Sequence, residues 1–264
     1  LFAIFIFISE VFSGGAVRAQ TKPPSGIAGT QQLSGLLASG LFTPAELDLI
    51  WENRSRLHGS LTEFVSSLPE IADRYPILVR VSQLLAYVGH FVVLKGPPAK
   101  RAETFYLGYQ IAERARELEP SRVEGHYWYA VNLAGFAAAE GAFTLWRHGG
   151  RVLEALDIAL GIQPQYFFGG PLRTRGILLL KMPSVPLSIG NKSQGLADLK
   201  EAVQLSPDVR LNRLALAEAL AFGGQFDLAR KELVRLRSVP QLMGSVEEAQ
   251  VLNRVAEIER RAKP

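Results

Sequence analysis

The chain has 264 residues, 48% hydrophobic and 20% charged, with a net charge of +4, which fits one large or two small globular units, or a repeat array that grows without a central core. It contains no cysteine, which removes disulfides, thiolate metal ligands and a cysteine nucleophile. Acidic and basic residues interleave and no Lys/Arg block of five or more exists, so a mixed solvated surface is expected and no nucleic-acid partner.

The first residues, LFAIFIFI, form an apolar run interrupted at Glu10. The run is short of the roughly 20 residues that cross a bilayer. Small residues follow it, with Val17 and Ala19 at the −3 and −1 positions. This reads as a secretory signal over residues 1–19, cleaved before Gln20; a buried N-terminal helix is the alternative. The first reading implies export to a bacterial periplasm or the cell exterior, with no stable membrane anchor in the mature chain. Residues 20–32 are rich in Pro, Gly, Ser and Thr and are expected to form a flexible lead.

From residue 33 to 264 the pattern is helical. A short helix is expected at Leu33–Ala38. Thr43-Pro44-Ala45-Glu46 and Ser60-Leu61-Thr62-Glu63 read as capping boxes for a diverged pair, with Leu47, Ile50, Trp51 and Leu57 apolar in the first helix and Leu61, Phe64, Val65, Leu68 and Ile71 in the second. Pro76–Val93 is strongly apolar, with Ala86 and Gly89 as close-packing positions, and Arg101–Leu118 is amphipathic through Phe105, Gly108, Ala112 and Ala115. Ser121–Glu124 reads as a third capping box, opening a helix that runs to Ala139. Gly141–Gly150 is expected to be a loop insertion before a helix at Arg151–Ile162, and Met182–Gly190 a second insertion between helices at Ile177–Lys181 and Lys192–Leu205. Arg210–Pro240 reads as helix, Gly223-Gly224 turn, helix and closing proline. A last helix from Ser245 to Ala262 is expected to face the array through Val246, Ala249, Leu252 and Val255.

Five helix ends punctuated by proline run along the chain, at Pro76, Pro120, Pro164, Pro207 and Pro240, with spacings of 44, 44, 43 and 33 residues. The last unit, with Ala217 and Ala229 where two helices would cross, resembles a tetratricopeptide repeat. The resemblance implies an all-α, right-handed helical solenoid of about five helix pairs with a terminal capping helix, the first three spacings carrying roughly ten extra residues each. Two stretches, EPSRVEGHYWYAVNL and QPQYFFGGPLRTRGILLLKMPSVPLSIGNKSQGLADLKEAVQLSP, are similar to signatures of the T-component family of TRAP transporters. The similarity covers roughly Leu84 to Leu236. It implies an exported, non-enzymatic scaffold with a ligand cleft, a substrate-binding protein as partner, and a trimer. A general periplasmic adaptor holding a peptide or protein in its concave groove is the alternative.

The four histidines, His58, His90, His126 and His148, offer no metal-ligand spacing, and neither a nucleophile elbow nor a phosphate-binding glycine loop is present. No cofactor, metal site or catalytic set is therefore expected. The cluster singled out is His126-Tyr127-Trp128-Tyr129 with Asn132, joined by Arg173 and Arg175 from the next unit. Successive helical residues turn by about 100°, so four large groups in a row exceed what one interhelix seam hides. Tyr127, Trp128, Asn132, Arg173 and Arg175 are accordingly expected to form a polar-aromatic groove for a peptide or a small anionic or amphipathic ligand, walled by the two insertions. The alternative is that Trp128 and Tyr129 fill the core beneath those insertions.

Overall fold

The computed structural model describes residues 44–54, 57, 61, 74–93, 97–184, 188–240 and 245–261. The expected signal segment, the lead, the helix at 33–38 and most of the diverged pair's second helix lie outside the described residues, as do Thr43 and the capping serine at 60.

Ten α-helices form the described chain: α1 (Pro44–Glu52), α2 (Tyr75–Tyr87), α3 (Pro98–Leu118), α4 (Val123–Glu140), α5 (Ala142–Ile162), α6 (Tyr166–Lys181), α7 (Lys192–Leu205), α8 (Arg210–Phe222), α9 (Phe226–Ser238) and α10 (Ser245–Arg261). A π-helical turn, Val88–Val92, prolongs α2. The pairs α2/α3, α4/α5, α6/α7 and α8/α9 pack antiparallel, and the first helices touch in succession, α2 on α4, α4 on α6, α6 on α8 and α8 on α10. This is an all-α, tetratricopeptide-like solenoid. Its core is three successive clusters: around α1 and α2, around α4 and α5, and around α8, α9 and α10.

Proline sets the period. α3, α5, α7 and α9 each end two residues before Pro120, Pro164, Pro207 and Pro240. The intervening residues, Glu119, Gln163, Ser206 and Val239, have left helical ψ for values of 70°, 89°, 74° and 132°, because the proline ring disfavours a helical predecessor.

Three local expectations are corrected. Gly141–Gly150 is not a loop: Gly141 alone, at φ 119°, turns the chain, and α5 begins at Ala142. Gly149 stays helical, where a Cβ would come within 2.9 Å of Met182. Much of the extra length of the first two spacings therefore lies in long helices, α3 and α5 having 21 residues each against 13 in α8 and α9. Ser121 does not cap α4; Arg122 occupies that position, and the Glu124 carboxylate instead accepts from Tyr75 Oη (2.9 Å) and Arg122 (2.8 Å). In α10, Val255 packs inward as expected, but Glu248, Val251 and Ile258 accompany it while Ala249 and Leu252 face water. The buried Arg210–Glu248 ion pair (2.9 Å) fixes that rotation.

Candidate functional site

The expected polar-aromatic groove is closed. Tyr127, Trp128, Tyr129, Asn132 and Arg173 are each at most 1% exposed, and His126 is 6%. Counting one seam per helix was the error, because α2, α3, α5 and α6 all pack on α4. Trp128 donates from Nε1 to Tyr166 Oη (3.0 Å) and meets Phe167 edge-on at 4.9 Å. Tyr129 points the opposite way, under the guanidinium of Arg116 at 3.9 Å and edge-on to Tyr109 at 6.0 Å. His126 donates from Nε2 to the Pro120 carbonyl (2.8 Å). Asn132 donates from Nδ2 to the carbonyls of Ser82 (3.0 Å) and Trp128 (2.9 Å), tying α4 to α2. Its amide fills space left by Gly108, where a Cβ would stand 2.5 Å from Asn132 Cγ.

Arg173 and Arg175 part company. Arg175 reaches the side of α6, where Nε and Nη2 grip both oxygens of Asp198 (2.8 and 2.9 Å) and Nη1 reaches Asp157 (2.8 Å), joining α5, α6 and α7. Those two carboxylates, Asp198 foremost, hold its guanidinium proton more firmly than usual. Arg173 is interior, 2.5 Å from the Oδ1 of Asn212, to which it donates. Burial pushes the neighbouring Tyr127 phenol up, opposed by the Arg173 charge.

Asn212, which the sequence reading passed over, organises this region. Its Nδ2 donates to the carbonyls of Phe168 (3.0 Å), Ala202 (2.9 Å) and Ser206 (3.4 Å). Phe168 is central to a left-handed turn, Phe167 (φ 49°), Phe168 (φ 57°) and Gly169 (φ 73°), that precedes the right-handed part of α6 at Gly170-Pro171. Two bulky residues in that region are costly. The Asn212 bond to the carbonyl at its centre helps to hold it.

The open concavity lies further along the array. A cleft of about 380 Å³ is lined by α6, α8 and α10, the first helices of two successive units and the capping helix, with Leu199 of α7. Its floor is apolar, from Ile177, Leu180, Leu199, Ala215 and Ile258. On its wall Glu218 of α8 pairs with Arg254 of α10, and Glu257 with Arg261 (2.5 Å). Burial pushes the Glu218 carboxyl up, opposed by Arg254 and Lys181. Lys181, at the end of α6, is water-accessible. Crowding in the concavity still lowers its amine to about 8 by desolvation, with Glu218 opposing and Arg254 adding to the shift. The sequence signal for this cleft was a lone carboxylate, Glu218, in the small-residue stretch Ala215–Ala221. Read as one helix face, that stretch looks like packing alone.

No protein-family model matches the chain, and no curated protein matches it. Among solved structures, TTC0263, a thermophilic TPR protein of Thermus thermophilus, superposes with a TM-score of 0.56 at 17% identity, covering 88% of this chain and 98% of that one. Yeast Tom70 aligns at a TM-score of 0.34 and 13% identity, over 88% of this chain and 58% of that one. At these identities the likeness to the Thermus protein is one of fold: the chain has the architecture of a tetratricopeptide-repeat solenoid.

Proposed function

We propose that the chain is a non-enzymatic binding scaffold that holds a segment of a partner protein in the cleft between α6, α8 and α10. The observation that carries this is the cleft itself. Two first helices and the capping helix present one concave, mostly apolar surface with charged groups at its wall, which is how stacked repeats build extended recognition surfaces. The test is to fill the cleft. Ala219 lines it and is half-buried, so Ala219→Phe narrows it without entering the core. A partner captured by the wild-type protein and identified by mass spectrometry should be lost on Ala219→Phe at an unchanged melting midpoint. A partner retained by a folded Ala219→Phe protein would show that the cleft is not the binding surface.

The finer reading is that the protein is exported and acts as a T component, engaging the substrate-binding protein of a TRAP transporter as a trimer. Its support is the two stretches at 119–133 and 163–207, together with the apolar N-terminal run. Intact-mass measurement on a periplasmic fraction should find a chain starting at Gln20, and light scattering should find three copies. A cytoplasmic protein retaining residues 1–19, or a monomer indifferent to any substrate-binding protein, would reject this reading while leaving the scaffold reading in place.

A further inference from the structure

The turns that join first to second helices lie along one edge of the array. They are the α4–α5 turn at Gly141, the α6–α7 connection after Lys181, and the α8–α9 turn at Gly223-Gly224. Side-chain proximities make the edge continuous. A Cβ on Gly149, two turns into α5, would stand 2.9 Å from Met182 and 3.2 Å from Ile189 in the next connection. From the end of that connection, Lys192 Nζ lies 5.8 Å over the ring of Phe222 in the turn beyond.

This edge carries the most exposed aromatic groups described. Phe143 is 73% exposed, Phe222 70% and Trp146 51%, and Phe143 and Trp146 stack at 5.9 Å. Between them stand Arg147 and Lys192, neither of which makes an ion pair among the described residues; arginines elsewhere, Arg151, Arg175, Arg210 and Arg213 among them, are paired. The carboxylates on the same turns are Glu140 and Asp227, and Asp227 is held by Arg230 at 2.5 Å. The edge is therefore aromatic and net basic.

We infer that this edge docks on an anionic lipid surface, with Phe143, Trp146 and Phe222 entering the headgroup region and Arg147 and Lys192 facing the lipid phosphates. Aromatic rings with flanking cations are the combination that partitions into a membrane interface. Phe143 and Trp146 protrude together from one turn and Phe222 stands at the rim of the cleft in another, all strongly exposed, so with the flanking cations they suit an extended anionic surface. No described helix is long and apolar enough to cross a membrane, so the contact is peripheral.

Flotation with phosphatidylcholine vesicles, with and without phosphatidylglycerol, tests this on the full chain and two double variants, Phe143→Ser/Trp146→Ser and Arg147→Gln/Lys192→Gln. None of these four residues lines the cleft, so failure here leaves the scaffold reading untouched. The wild-type protein should float with the anionic vesicles, less so as salt rises. The Arg147/Lys192 variant should lose about fivefold in partitioning per cation, about twenty-fivefold in all, and the aromatic variant should lose binding with its melt unchanged. A wild-type protein that does not float, or folded variants that float as it does, would overturn the inference. Retention on a polyglutamate resin without flotation would also overturn it, in favour of an acidic protein partner.

Discussion

Two residues show how little room α2, α3 and α4 leave each other. Gly108 is a glycine because Asn132 occupies the place of its side chain, and Asn132 cannot retreat without breaking its bonds to Ser82 and Trp128. Gly108→Ala should therefore destabilise by about 1–3 kcal/mol, despite alanine's better helix propensity; a melting midpoint at or above wild type would mean that the helices separate freely. His90 is the second. It sits in the π-helical turn, fully buried, 4.7 Å from the Phe105 ring, with neither ring nitrogen hydrogen-bonded among the described residues and Arg101 the nearby charge. Burial, reinforced by Arg101, holds its pKa well below the usual value. The folded state thus binds its proton less readily than the unfolded chain. Stability from this group is complete above about pH 6.5 and falls as pH drops below it, by up to about 1.4 kcal/mol per unit. Denaturant titrations at pH 7.5 and 5.5 should show an acid loss that is smaller in His90→Leu by about that amount; equal losses would place the proton elsewhere.

At the scale of the element, Arg175 ties α6 to α7 and α5 through carboxylates, one of which, Asp198, is 1% exposed. Arg175→Ala leaves Asp198 in the interior with only Gln194 donating to it, and should cost about 3 kcal/mol or more. Chemical denaturation measures that loss directly. A variant as stable as wild type would return Arg175 to the pool of residues available for binding. Helix identity was legible in the sequence wherever proline and a single apolar face agreed, as in α7, α8 and α9. It was misread where glycine was taken as a stop. Gly149-Gly150 costs a helix far less than tertiary packing returns, so α5 runs through it. The site was legible in one respect only: α4 is unusual, and the reason is burial on every side. The cleft was illegible because Lys181, Glu218 and Arg254 come from three helices, and no local spacing signals that they meet.

For the whole molecule, the decisive property is that each unit touches only its neighbours. Stability in such an array approximates a sum of unit and interface terms, so damage should stay local. Ala229 is fully buried in the C-terminal cluster with Leu214, Ala217 and Leu233, where the second helix of the unit crosses the first. An indole there overpacks by about 1–3 kcal/mol or more, and the chain can relieve the strain only by loosening α8, α9 and α10. Ala229→Trp should therefore accelerate amide hydrogen exchange in those three helices while α2, α3 and α4 exchange as before. The wild-type pattern should already slope this way, slowest in α4, on which four described helices pack, and faster toward α10, which packs on α8 and α9 among the described helices. Uniform acceleration across all ten helices would mean that the three core clusters unfold as a single cooperative unit. An unchanged pattern would mean that α9 does not cross α8 at Ala229.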